Sequence, residues 1–276
     1  DGVFWSNQLD ESIDSGLAVR AQLSGTLALM TSAEAPNGTG IARLRLLWKL
    51  FRDERQNPEP FYRALAAESA IDLSQRYGLA QTDVLDIGCG PGWYAEALRQ
   101  HQATVVGIDG SVEALTRANP PITGLSIGDA TRLAFPDASF DGVFCSNMLE
   151  HVSDPEAVID EMVRVLRPGG WGYLSWTNWY SPHGGHHMNP YQYLGTRWGP
   201  RLYEKRHGPP PDNRFGKELF AVHIGPTLRF MRNHPQINVH RVEPRYWPWA
   251  RPITAIPLVR EVFTWNCLVR FTRQDI

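Results

Sequence analysis

Four histidines stand where a proton could be taken from a bound hydroxyl. His151 follows a short apolar run, and His183, His186 and His187 fall in Ser181-Pro182-His183-Gly184-Gly185-His186-His187. Imidazole changes charge closest to neutral pH, which suits it to general base work. The alternative for His151 is a structural role in packing or capping, and for the other three a solvated loop. His186 and His187 are adjacent and cannot easily share one metal ion. No metal is assigned, although Glu150 and His151 with one of the later histidines could form an oxygen and nitrogen site.

A second group of residues is suited to holding a ligand. Val84-Leu85-Asp86-Ile87-Gly88-Cys89-Gly90-Pro91-Gly92 places glycines between an apolar run and a helical pattern. Glycine lets the backbone come close to a ligand, and the N-terminus of the following helix offers free N–H groups. The spacing is GxGxG. A dinucleotide fingerprint needs a small residue at position 93, and Trp93 stands there, which argues against a dehydrogenase. Asp109 lies 21 positions after Gly88, at the end of a second apolar run, where its carboxylate can accept from ribose hydroxyls. In Gly128-Asp129-Ala130 a further carboxylate can accept from an adenine amino group. Acids and glycines at three successive strand ends describe a nucleoside site.

The elements that must position these groups alternate. Strands are expected at residues 84–87, 104–108, 125–127, 142–146 and 171–177, with helices at 93–101, 112–118 and 156–166 between them. Such crossovers imply an α/β fold with a doubly wound, mostly parallel sheet. A helix over 217–233 and strands at 238–242 and 263–271 would bring the sheet to about seven strands. Residues 1–40 show no sustained period and read as a leader, with Met30 expected as the natural start. Two helices are expected within 41–80 and the cofactor core over 81–177. Residues 178–220, rich in aromatics, His, Pro and Gly, form a long insertion expected to act as an acceptor-binding lid. Residues 221–276 then complete the sheet.

Val84 to Trp93, Gly107 to Ser111, Gly128-Asp129-Ala130, Asn147-Met148-Leu149-Glu150-His151-Val152 and Arg164-Val165-Leu166-Arg167-Pro168-Gly169-Gly170 resemble class I S-adenosylmethionine-dependent methyltransferases. Within that class they are most similar to the methyltransferase type 11 group that includes the quinone-biosynthesis enzymes. The resemblance covers about residues 60–177 and implies a Rossmann-like fold with S-adenosylmethionine as cofactor. It also implies that Gly88 and Gly90 line the methionine moiety, Asp109 the ribose, and Asp129 and Ala130 the adenine. Asn147 would sit beside the reactive end, and Asp86 is expected to orient the glycine loop or the cofactor ammonium.

The acceptor is narrowed by what is missing. After the fourth expected strand the chain reads Ser146-Asn147-Met148-Leu149, without the Asn/Asp-Pro-Pro-Tyr arrangement that holds amino groups in related enzymes. O-methylation of a small-molecule, glycan or lipid-linked acceptor is therefore expected. C-methylation of a quinone-like ring and a catalytically silent cofactor-binding module are the alternatives.

Charge is unevenly placed. Residues 1–177 carry 13 Lys+Arg against 23 Asp+Glu, and residues 178–276 carry 14 against 6. Arg197, Arg201, Lys205, Arg206, His207 and Arg214 fall in the insertion, which suits an anionic acceptor. The overall balance of -2 argues against a nucleic-acid partner. Residues 41–52 form a short basic amphipathic pattern that could touch an anionic membrane. Cys89, Cys145 and Cys267 show no paired spacing, and no apolar run reaches the roughly 20 residues of a membrane span. A cytoplasmic protein is expected.

Overall fold

The computed structural model describes residues 41–54 and 56–275, so the expected leader with Met30 lies outside the described residues. The chain divides into two compact units between Leu65 and Ala66. The first contains α1 (Ile41–Asp53) and the start of α2 (Glu59–Tyr77). In α1, Leu47 is buried and Trp48 exposed, while Phe51 meets Phe61 of α2 edge-on with centroids 5.6 Å apart. Part of the apolar stripe read from residues 41–52 is thus taken up by packing within its own unit. Arg63 and Glu59, one turn apart on α2, are ion-paired at 2.7 Å.

In the second unit the described residues form one sheet of seven strands. These are β1 (Asp83–Ile87), β2 (Thr104–Asp109), β3 (Leu125–Ile127), β4 (Phe140–Ser146), β5 (Leu166–Thr177), β6 (Ile237–Pro244) and β7 (Asn266–Arg273). Their order is β3-β2-β1-β4-β5-β7-β6, with β7 antiparallel to both neighbours. The helices are α3 (Trp93–Gln100), α4 (Val112–Leu115), α5 (Pro155–Val165), α6 (Gly195–His207), α7 (Ile224–Asn233) and α8 (Val259–Phe263). β1 and β4 are parallel neighbours, and the order in which successive strands are added reverses between them. Ligands in such sheets sit beyond the carboxyl ends of the strands at that switch.

Alternate residues of each central strand serve opposite faces. Val143, Cys145, Leu174 and Trp176 join one core with Ile159 and Met162 of α5 and Leu228 and Met231 of α7. On the other face Phe144 stacks on Tyr173 at 4.5 Å, Tyr94 of α3 lies 4.8 Å from Phe144, and Tyr77 of α2 stacks on Trp171 at 5.4 Å. Gly142 makes that second face close-fitting, since a Cβ there would lie 2.1 Å from the Trp171 ring. The strands are therefore covered on both sides, which is why they read as continuous apolar runs. All three cysteines are buried free thiols.

Five elements differ from the sequence reading, one of them β5, which begins at Leu166 rather than 171. The helix expected over 112–118 stops at Leu115. The helix expected from 217 begins only at Ile224, because residues 214–219 close a turn in which the Leu219 N–H donates to the Arg214 carbonyl. Strand β7 starts at Asn266 rather than 263, since the preceding residues wind into α8. The expected lid is not a loop: it holds α6 and a small core of its own, with Trp179, Met188 and Leu219 buried against Tyr203 and Phe215.

Candidate active site

The sequence-predicted ligand residues arrive at the carboxyl ends of adjacent strands. β1 delivers Asp86 and the glycine loop, β2 Asp109, β4 Asn147, and the turn after β3 Asp129 and Ala130. Gly88 and Gly90 both have positive φ, at 69° and 52°. A Cβ on Gly88 would lie 2.3 Å from Met148 Cγ, whereas one on Gly90 would meet nothing within 4 Å and would project into open space beside the loop. Gly90 thus leaves its backbone bare toward any ligand there.

Asp109 ties this loop in place. Its Oδ2 accepts from the Gly90 N–H and its Oδ1 from the Ser111 N–H, each at 2.8 Å. A carboxylate has about four acceptor sites, so ribose hydroxyls can still be received. Asp86 is 1% exposed, and its Oδ2 is buried without a hydrogen-bond partner. Burial, with the Asp109 charge adding and the Ala95 N–H opposing, pushes its pKa up to about 8. An orphaned buried carboxylate oxygen fits the ammonium of a methionine-bearing cofactor. Asp129 is held below the ordinary carboxylate range by the Thr131 hydroxyl and N–H, which bond the same oxygen at 2.7 and 2.8 Å.

Beside this groove, β4 ends in a sharp turn. Asn147 has φ 54°, its N–H donates to the Ser175 carbonyl at 2.8 Å, and its Oδ1 accepts from Asn266 Nδ2 at 2.6 Å. Four residues on, His151 donates through Nδ1 to the Glu218 carbonyl at 2.7 Å. That bond fixes the tautomer and leaves Nε2 as the proton acceptor. Glu150, 2% exposed, joins the same turn to the lid: its carbonyl accepts the Phe220 N–H at 2.8 Å, and its Oε1 the Thr177 N–H at 3.0 Å.

The four histidines separate. His186 comes to His151, their rings edge-on with centroids 5.4 Å apart. His183 instead packs on Trp265 at 5.2 Å, and His187 Nε2 pairs with Asp212 at 2.7 Å. The glycines between them serve close approach: a Cβ on Gly184 would lie 2.2 Å from the carbonyl oxygens of Asn178 and Trp179. His186 Nε2 is buried without a partner, and burial, with His151 and His187 adding, pushes its pKa down to about 3.

Glu150, His151 and His186 each offer a ligand atom, and those atoms lie within 4.8 Å of one another. Two of the three residues, Glu150 through Oε2 and His186 through Nε2, present buried atoms with no other partner. Two imidazoles and a carboxylate are a donor set that fits a divalent transition metal.

The aromatic residues in and just before the insertion disperse. Trp176 belongs to the sheet core and Trp179 to the lid core, while Tyr191 packs on Tyr203 and Trp198 is exposed. The insertion's cations also turn away: Arg197, Arg201, Lys205, Arg206 and His207 are exposed, and Arg214 pairs with Glu204 at 3.0 Å. The sequence reading missed Asn178, Ser181, Gln192 and Asn266. These are buried polar residues at the lid's base, each with one oxygen lacking a partner. For Asn178 and Asn266 the available signal was a polar residue at the end of an apolar strand, whereas Ser181 and Gln192 lie within the insertion away from any strand.

Similarity to known proteins agrees with this geometry. A family described as "Methyltransferase domain" matches residues 85–174. An uncharacterised methyltransferase of Mycolicibacterium vanbaalenii is 35% identical over 241 residues, covering 83% of this chain and 93% of that protein. One from Mycobacterium tuberculosis is 34% identical over 254 residues, covering 88% and 99%. The crystal structure of an S-adenosylmethionine-dependent methyltransferase from Mesorhizobium loti is 25% identical with a TM-score of 0.52, covering 75% of this chain and 98% of that one. With its glycine loop, its strand-end acids and its seven-stranded sheet, the chain belongs to the class I S-adenosylmethionine-dependent methyltransferases.

Proposed function

We propose that the enzyme methylates a hydroxyl oxygen of a small-molecule, glycan or lipid-linked acceptor, with His151 as general base. The observation that carries this reading is the His151 Nδ1–H bond to Glu218, which leaves Nε2 as acceptor four residues after Asn147 at the end of β4. The cofactor supplies an electrophilic methyl group on a sulfonium. The glycine loop, Asp86 and Asp109 hold it, Asn147 fixes the reactive end, and His151 takes the hydroxyl proton as the acceptor oxygen becomes nucleophilic.

The test is labelled methyl transfer from S-adenosylmethionine into cell extract fractions, including lipids and glycans, with the labelled products identified by mass spectrometry. A methyl ether is expected, with transfer reduced roughly a hundredfold or more in His151→Gln at unchanged cofactor affinity. A methylated ring carbon, or full transfer by His151→Gln, would defeat the reading.

The orphan atoms of Glu150 and His186 favour a second reading, in which a metal replaces the histidine base. A divalent cation held by Glu150, His186 and His151, the last through Nε2, would lower the pKa of a bound hydroxyl, whose proton would then leave to solvent. Activity lost on chelation and restored by Zn²⁺, Mn²⁺ or Co²⁺, with no recovery in Glu150→Gln, is the expected sign. Full activity after exhaustive chelation removes the cation.

A further inference from the structure

The cations of the insertion find their place on one helix. In α6, Gly195, Gly199, Leu202 and Tyr203 fall on one side, and Tyr203 packs against the lid core. Gly199 is buried so closely that a Cβ would lie 2.3 Å from the Tyr191 carbonyl oxygen. Leu194, just before the helix, and Arg197, Trp198, Arg201 and Lys205 recur at helical spacing on the opposite side, and all five are exposed. Leu194 is 51% and Trp198 62% exposed, with the Arg197 guanidinium 5.2 Å from the Trp198 ring. Among the described residues none of these three cations has an acidic partner, and the helix's one acid, Glu204, is engaged by Arg214. An outward stripe of three free cations around a leucine and a tryptophan is unlike a solvated helix face, where charges alternate in sign. A second exposed apolar segment lies between β6 and β7, where Trp249, Ile256, Leu258 and Phe263 are 71%, 50%, 80% and 59% exposed.

We infer that the outward face of α6 docks on an anionic lipid bilayer. Trp198 and Leu194 would enter the interface while Arg197, Arg201 and Lys205 meet lipid phosphates and carboxylates. Charge complementarity supplies the sign of the partner, and the aliphatic Leu194 supplies its kind. Stacking on bases would use Trp198 and the arginines but give Leu194 nothing to pair with. The inference concerns where the enzyme sits and is independent of the chemistry proposed above.

The experiment is co-sedimentation of the full chain with vesicles of phosphatidylcholine alone and of phosphatidylcholine with one third phosphatidylglycerol, at low and high salt. Sedimentation with the anionic vesicles only, lost at high salt, is expected. Each cation is worth about fivefold in affinity, so Arg197→Glu/Arg201→Glu should bind at least tenfold more weakly, and Trp198→Ser should also weaken binding. Both variants should keep the wild-type circular dichroism and cofactor affinity, which shows them folded. A third variant, Lys217→Glu, reverses an exposed charge of the lid outside this helix and should bind as wild type. Equal binding to both vesicle types, binding to neither, undiminished binding by the double variant, or tighter binding of single-stranded RNA than of anionic vesicles would each overturn the inference.

Discussion

His186 holds its imidazole edge-on to that of His151, with centroids 5.4 Å apart, although 35 positions separate them in the chain. The contact exists because the lid folds back onto the turn after β4, where Glu150 and His151 bond residues 218 and 220. His186 reaches it from a backbone with φ 47°. A branched or bulky side chain disfavours that conformation, but His and Asn are among the residues that accept it.

Burial keeps His186 neutral, and this sets an acid limit to stability. The unfolded chain takes up this proton below an ordinary pKa of about 6.5, the folded chain only near 3. The unfolded state therefore binds more protons across that window, and stability falls as pH falls through it. The expected slope from this group is about 1 kcal/mol per pH unit. Denaturant midpoints measured from pH 7 to pH 4 should decline less steeply in His186→Asn, which accepts the same φ but does not titrate. Parallel curves would refute the assignment.

Asp86 behaves in the opposite sense. Its folded pKa is raised to about 8, so the protein without cofactor holds a proton that the unfolded chain releases near 4. This contribution to stability is complete below about 4 and disappears as pH rises to about 8. A cofactor ammonium beside the orphaned Oδ2 would favour the ionised form, so binding should expel the proton. Calorimetric titration with S-adenosylmethionine at neutral pH, in buffers of different ionisation heat, should show net proton release. Asp86→Asn should show none and bind at least tenfold more weakly. Release unchanged in Asp86→Asn would assign the proton to another group.

How much of this was visible beforehand depended on sequence distance. The glycine loop and Asp109 are local patterns, each interpretable within a few residues, and the structure places them at the ends of the expected elements. Helix α6 was hidden because Gly195, Gly199 and Pro200 weaken its intrinsic propensity. It forms because Gly199 lets it sit directly on the Tyr191 backbone. The bond between Asn147 and Asn266 spans 119 positions, and no periodicity signals it. The division of the four histidines was equally invisible, since it is decided by Trp265 and Asp212.

Asn147 should respond to backbone and side-chain changes separately. Its φ of 54° costs most residues about 1 kcal/mol, so Asn147→Ala should be less stable than Asn147→Gly by about that amount in chemical denaturation. Neither keeps the carboxamide, so both should lose activity to a similar degree. Asn266→Ala leaves Asn147 in place but unties its side chain, and turnover should fall roughly tenfold through lost positioning, with cofactor affinity nearly unchanged. A loss of cofactor affinity equal to the loss of turnover would place Asn266 in the cofactor site instead.

Arg245 lies buried beneath this turn. Its Nη1 donates to Ser146 and Ser175 at 2.5 and 3.2 Å, its Nη2 to Ser69 and Tyr94 at 3.2 and 2.9 Å, and its guanidinium stands 5.5 and 5.7 Å from the Tyr94 and Tyr173 rings. Without the arginine, Ser175 can still donate to Ser146, which it does at 3.1 Å, and Ser69 still meets the Tyr173 hydroxyl at 3.4 Å, so three of the four hydroxyls keep a partner. The main cost of Arg245→Ala is then the cavity, on the order of 2–5 kcal/mol. Arg245→Met refills much of that volume without burying a charge, and should recover more than half of the loss. Equal destabilisation by Ala and Met would show instead that the charge-assisted bonds dominate. In that case Tyr94→Phe, which removes one of them and little volume, should cost about 1.5–3 kcal/mol rather than under 1.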